Sequence, residues 1–301
     1  MPTIIECIKK RINTLVDFRD ITLRILSVLP EEISTSSRKK DYVIHVSSNA
    51  NTTKYIRPVN EKLFINEIQQ FKDEFDQFIN LLHTIPNVEQ IVLQGKHNLI
   101  NRVIYTIQQS ISAMFDLKEN SNSSRKHVGN RFEDLIRSVV QETGLTCKKM
   151  IIKIPYGETI KRKKMYYSCE TDLIISPYSE CKSSSQYIDN KEVVLSIKTS
   201  SKDRMGKVFL DKFLISKFMK YEVTHYGIFL NDIQRKGTQD IASTFVSNLF
   251  MVYSIFLTKM NHVYYVDIPE TAKSDPYSSY ISQFSFFITD VLWEILHHHE
   301  V

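Results

Sequence analysis

Two short apolar runs in the second half of the chain carry charged side chains where a buried strand ordinarily has none. The run Glu170-Thr171-Asp172-Leu173-Ile174-Ile175 places a carboxylate at a strand start, and Val193-Val194-Leu195-Ser196-Ile197-Lys198 ends in a lysine 26 positions after Asp172. A lysine inside an apolar strand pattern is costly unless it is paired or solvated. Carboxylates that hold a hard cation, with an ammonium near the attacking water or the phosphate, are what metal-dependent phosphodiester hydrolysis requires. Two readings of Lys198 stay open at this level. It belongs to such a site, or it is a strand-end lysine reaching solvent ahead of Thr199-Ser200-Ser201. A carboxylate two positions before the lysine would complete the set, but Ser196 stands there, and serine does not replace a metal-ligating carboxylate. The next segment offers one. Asp203, Arg204, Lys207 and Asp211 recur at helical spacing, which sets Arg204 and Asp211 about two turns apart on one face. An ordinary charged surface helix has the same spacing.

The elements that would position these residues read as follows. Val128 to Glu142 is an amphipathic helix that stops at Gly144, with Phe132, Leu135, Ile136, Val139 and Val140 on its apolar side. Strands follow at Met150 to Ile154, Thr171 to Ser176, Val193 to Lys198 and Thr224 to Leu230, with a polar helix from Asp203 to about Tyr221 between the last two. That order predicts an α/β fold with a mixed sheet flanked by helices. Before it, Ile4 to Leu29, Leu63 to Leu82 and His97 to Phe115 have helical periodicity, and Tyr42 to Val46 alternates like a short strand. The polar stretch Leu117 to Arg125 is expected to be a linker, dividing a mainly helical region, 1–120, from a catalytic domain, 121–301. The apolar stretch Phe245 to Leu257 is too short to span a bilayer and is expected to be a buried helix.

Bulk properties exclude several classes. The chain of 301 residues has seven glycines and neither a GxGxxG nor a GxxxxGK[ST] motif, against the common nucleotide-binding loops. Four cysteines (Cys7, Cys147, Cys169, Cys181) lack zinc-ligand spacing and are expected to be reduced thiols of a cytoplasmic protein. The net charge of +5 is compatible with a polyanionic partner. The basic residues Lys148, Lys149, Lys153, Lys161, Arg162, Lys163 and Lys164 cluster with only Glu158 opposing them, as a DNA-facing patch or a solvated hairpin. His297-His298-His299, at the end of the sequence, is read as surface histidines.

The spacing of Asp172 and Lys198 resembles the skeleton of the PD-(D/E)XK nucleases. The block Lys198-Thr199-Ser200-Ser201-Lys202-Asp203-Arg204, with Lys207 and then Asp211 thirteen positions after Lys198, resembles the type II restriction endonucleases grouped with EcoRII and SsoII. His127 to Glu133 is similar to that group's glycine-then-glutamate helix, and the resemblance extends over roughly residues 124 to 268. Asp211 stands where glutamate is usual, and Met205 and Gly206 where a tryptophan and a basic residue are common. The resemblance implies a site-specific endonuclease cutting double-stranded DNA at a short near-palindromic CCNGG-like site. Asp172 and Asp211 would ligate Mg²⁺, Lys198 would stabilise developing charge, and Glu133 would be an outer acidic residue. Lys202, Asp203 and Arg204 would read C·G pairs, since arginine or lysine donates to guanine O6 and N7 and a carboxylate accepts from cytosine N4. Lys207 would contact DNA beside them.

A near-palindromic target implies a homodimer. A restriction role implies a cognate DNA methyltransferase as a functional partner. The N-terminal region would then add DNA or dimer contacts, with Tyr42, Tyr55 and Arg57 as candidate DNA contacts. Two other assignments fit the same residues: a structure-selective repair or recombination nuclease of this fold, and a catalytically degenerate DNA-binding protein, the latter motivated by Ser196.

Overall fold

The computed structural model of the protein describes residues 3–157 and 165–297. Glu158, Lys161, Arg162, Lys163, Lys164, His298 and His299 lie outside the described residues, so the basic cluster is placed only at Lys148, Lys149 and Lys153.

The N-terminal part combines helices with a small sheet. Helices α1 (Ile4–Lys9) and α2 (Leu15–Glu32) precede four strands, β1 (Thr35–Lys39), β2 (Tyr42–Ser48), β3 (Thr53–Tyr55) and β4 (Val59–Asn60). All pairings in this sheet are antiparallel, with β2 contacting each of the others. Only β2 was expected from the sequence, because its neighbours are too short or too polar to show alternation. Then come α3 (Ile68–Thr84), α4 (Gln90–Leu93), α5 (His97–Lys118) and α6 (Ser121–Glu142).

The expected linker is not a loop. Its polar residues form the junction of α5 and α6, where the Asn120 side chain caps α6 by accepting the Ser123 N–H at 2.9 Å. Asparagine and serine here serve a helix N-terminus, a role their composition shares with linkers. The buried core also runs on across this point. One cluster joins Phe18, Phe71, Phe75 and Ile104 to Phe132, Leu173, Leu195, Ile197 and Phe287.

The central sheet has six strands in the order β12-β11-β8-β7-β6-β5. They are β5 (Thr146–Gly157), β6 (Met165–Ser176), β7 (Val193–Lys198), β8 (His225–Phe229), β11 (His262–Tyr265) and β12 (Ile281–Gln283), with the hairpin β9 (Ile233–Lys236) and β10 (Asp240–Ser243) outside it. β5–β6 and β6–β7 are antiparallel, whereas β7–β8, β8–β11 and β11–β12 are parallel. The sheet is therefore mixed and covered by helices on both faces, as the sequence predicts. Alternation along β7 and β8 sends Leu195, Ile197, Ile228 and Leu230 to the face covered by α5 and α6. Val194 and Phe229 face the other way, where helix α7 (Met205–Met219) packs Met205, Val208, Phe209 and Ile215.

Two expectations need correction here. The helix after Lys198 begins at Met205, not Asp203, and it is no polar surface helix but one with a buried apolar face. The stretch Phe245 to Leu257 is not a buried helix. It forms α8 (Ser247–Val252) and a π-helical turn over Tyr253–Leu257 that bury Phe250 but leave Phe256 83% exposed. The described residues end in α9 (Phe284–Phe286), a π-helical turn and α10 (Trp293–His297). Among the described residues no helix is long and apolar enough to cross a membrane. All four cysteines are free.

Candidate active site

The site forms where the β6–β7 ladder ends. Its last register pair toward this end is Leu173 opposite Leu195. The next β7 N–H on the edge facing β6, that of Ile197, is taken by a side chain: Asp172 Oδ2 accepts it at 2.7 Å. The same oxygen accepts from the Lys198 ammonium, so one carboxylate oxygen joins the two strands where they part. Lys198 is thus an ion-paired residue at a sheet crevice, and its side chain is only 24% exposed.

A bulge re-aims Asp172. Lys148 of β5 faces Ile174 of β6, but Met150 faces Thr171, so β6 carries one residue more than β5 over this interval. The extra residue reverses the alternation, placing Cys169 and Ile174 in one buried cluster while Leu173 and Ile175 belong to another. Bulges recur beside active sites because they aim a side chain without breaking the sheet.

Glu133 approaches from α6. Burial, and next the charge of Asp172, raise its carboxyl above the ordinary range, while Lys149 and Lys198 oppose the shift. Lys149, in the bulged interval of β5, pairs with it at 3.3 Å. Asp172, Lys198, Glu133 and Lys149 therefore form one electrostatic cluster. Lys149 was legible only as one member of a basic run.

Ser196, where an acid would complete the simplest form of the motif, shares a hydrogen bond of 2.9 Å with His225 Nε2. Burial pushes the His225 imidazole down to about 3, with the Lys212 and Lys198 charges adding, so it stays neutral. Ser196 therefore belongs to a neutral buried pair beneath the site.

Asp211 lies on α7 beside β6. Its side chain is 7% exposed and pairs with Lys207 at 2.6 Å. Its neighbour Cys169 has its thiol pushed up to about 12, first by burial and then by the Asp211 charge. Asp211 Oδ1 is buried and makes no hydrogen bond of good geometry among the described residues, with the Cys169 thiol its near neighbour and weak donor to this carboxylate. Asp172 and Asp211 thus both meet β6, and no group of three histidine, cysteine, aspartate or glutamate side chains among the described residues is placed to hold a metal ion. The donor chemistry nevertheless fits a hard cation, because a carboxylate oxygen without a strong donor is a ready ligand for one.

Lys202, Asp203 and Arg204 form an exposed turn directly ahead of α7. Arg204 is solvent-facing, whereas Asp211 is buried, so the expected common face holds only as spacing. Lys207 is half-exposed, and its ammonium is engaged by Asp211.

The candidate DNA contacts Tyr42, Arg57 and Tyr55 each have a partner within the chain. Tyr42 donates to Asp267 at 2.9 Å, Arg57 makes a two-pronged pair with Asp116, and the Arg235 guanidinium covers the Tyr55 ring at 4.1 Å.

No family model and no curated protein sequence matches the chain. Among solved structures it is similar to the Type IIP restriction endonuclease Kpn2I, with a TM-score of 0.70 and 17% identity, covering 95% of this chain and 93% of that one. A complex of the restriction endonuclease PspGI with substrate DNA matches with a TM-score of 0.40 and 12% identity, covering 77% of this chain and 93% of that one. At such identities the first likeness speaks for architecture, and the second is too distant to add to it. The chain has the restriction-endonuclease fold, a mixed sheet flanked by helices.

Proposed function

We propose that the protein is a type II restriction endonuclease that hydrolyses phosphodiester bonds of double-stranded DNA at a short near-palindromic CCNGG-like site, acting as a homodimer with Mg²⁺. The observation that carries this reading is the Asp172–Lys198 pair at a bulged strand crevice, in a fold shared with Kpn2I, a protein described as a Type IIP restriction endonuclease.

Asp172 and Asp211 are the residues that would hold Mg²⁺. The chemistry supplied by the bound ion is polarisation of the scissile phosphate and a more acidic attacking water. Lys198, ion-paired with Asp172, would offset negative charge that develops on the phosphate. Glu133 extends the acidic cluster outward, its carboxyl raised first by burial and then by the Asp172 charge.

The CCNGG-like target is supported by the Lys202-Asp203-Arg204 turn, whose three side chains are exposed on the segment joining Lys198 to Asp211. Donors and an acceptor in one turn match the edges of G·C pairs. A structure-selective nuclease has no use for that carboxylate facing DNA. Residues 1–120 would serve DNA or dimer contacts, and a methyltransferase of the same specificity would protect host DNA.

The test is digestion of phage or plasmid DNA with Mg²⁺, comparing wild type with Asp172→Ala. Discrete fragments from the wild type alone support the reading. Binding without cleavage in either protein would favour a degenerate DNA-binding protein, and cleavage governed by branched or nicked structure a repair nuclease.

A further inference from the structure

We propose that Asp232 is a positioning residue for the Lys202-Asp203-Arg204 turn, so that discrimination between DNA sequences depends on a buried carboxylate that does not itself touch DNA. This rests on the reading of that turn as the DNA-reading element.

Asp232 follows β8 and is 1% exposed. Its Oδ1 accepts from Ser200 Oγ at 2.8 Å, from the Ser201 backbone N–H at 2.8 Å and from Thr244 Oγ1 at 3.1 Å. Its Oδ2 accepts from Ser201 Oγ at 2.5 Å and from the Tyr265 hydroxyl at 2.7 Å. An ionised carboxylate offers about four lone-pair sites, so these donors saturate it. Three of them come from Ser200 and Ser201, the residues immediately before the turn.

The constraint passes on through Ser201, which is fully buried. Its carbonyl accepts the N–H groups of Arg204 at 2.9 Å and Met205 at 2.7 Å, closing the turn and starting α7. Lys202 N–H points to Ser200 Oγ at 3.4 Å. The side chains of Lys202, Asp203 and Arg204 hold no partner among the described residues, so the backbone beneath them sets where they stand. Asp232 is itself fixed from two further elements, Tyr265 at the end of β11 and Thr244 after β10. An unpaired reading turn held by a saturated buried anchor is preorganised, and displacement of such a group by about 1 Å costs on the order of 10²-fold in function.

The experiment measures affinity in Ca²⁺ for the duplex that the wild-type enzyme cleaves and for one with a single outer G·C pair exchanged. Asp232→Ala is expected to lower the ratio of the two affinities by about 10- to 100-fold while leaving affinity for the exchanged duplex unchanged, with Asp232→Asn restoring part of the ratio. If Asp232→Ala does not fold, the double variant Ser201→Ala/Tyr265→Phe, which keeps the carboxylate and the backbone bond, is expected to lower the ratio in the same direction. Arg204→Ala is the control. A lowered ratio in Arg204→Ala with an unchanged ratio in the folded Asp232 or Ser201/Tyr265 variants overturns the positioning role alone. An unchanged ratio in Arg204→Ala removes the reading of the turn and the positioning role with it. A parallel loss of both affinities marks a purely structural residue and also overturns the proposal.

Discussion

The Asp172 carboxylate and the Lys198 ammonium pair across two antiparallel strands at the point where their backbone ladder stops. The same Asp172 oxygen also closes the ladder, by accepting the Ile197 N–H. Removing the carboxylate therefore affects chemistry and fold together. Asp172→Ala is expected to lose cleavage entirely and about 1–3 kcal/mol of stability, the cost of leaving a buried donor unmade. Lys198→Ala is expected to lose cleavage at a smaller stability cost, since the lysine is partly solvated. Denaturant unfolding beside a cleavage assay, with DNA binding in Ca²⁺ retained by both variants, checks the two effects separately.

Asp211 and Lys207 yield a prediction about metal. The buried carboxylate is neutralised by a half-exposed lysine, and a cation that recruits Asp211 competes with that pair. Mg²⁺ is expected to raise the Tm of the wild type through linkage, and to raise it less in Asp211→Asn. Lys207→Ala, which leaves the carboxylate unpaired, is expected to cost about 1–2 kcal/mol without Mg²⁺ after allowance for solvent screening. Calorimetry with and without Mg²⁺ reads both effects. Equal Mg²⁺ shifts in wild type and Asp211→Asn would remove Asp211 from the metal set.

Arg204 tests sequence reading. As an exposed donor toward guanine, its loss is expected to cost about 1–3 kcal/mol of discrimination between cognate and exchanged duplex. Affinity for unrelated DNA should change little. Competition binding in Ca²⁺ measures this, and unchanged discrimination would assign Arg204 to the phosphate backbone or to solvent.

The order of β6, β7, α7 and β8 is legible because each strand is a short apolar run, and Asp172 and Lys198 are charges that such runs ordinarily lack. The bulge at Asp172 is not, since one inserted residue leaves composition and apolar run length intact. The strands β11 and β12 were also missed, as segments of 4 and 3 residues carry no readable period. Asp232 gave no signal, because Asn231-Asp232 reads as an ordinary turn and Ser201 lies 31 positions away. The partners of Arg57 are not legible either, because Asp116 and Ser124, which take its guanidinium, lie 59 and 67 positions away. Burial would raise the Asp116 carboxyl, yet Arg57 and the other hydrogen bonds hold it below its ordinary value.

Asp267 links stability to pH. Burial raises its carboxyl to about 6, against the hydrogen bonds from Asn60 and Tyr42, which favour the charged form. The folded state then holds this proton over a range in which the unfolded chain has lost it. The associated stability is present below the ordinary carboxylate pKa and is lost as pH rises from about 4 to about 6. The Tm of the wild type relative to Asp267→Asn is expected to fall across that interval and level off above it. A difference independent of pH would contradict the assignment.

The most direct measurement is digestion of a sequenced phage genome with Mg²⁺, followed by run-off mapping of every fragment end. Discrete fragments are expected, with ends that coincide with one short, near-palindromic site containing CC and GG, and none with Asp172→Ala. Random ends, or no cleavage of any duplex by a folded, DNA-binding protein, would contradict the proposed function.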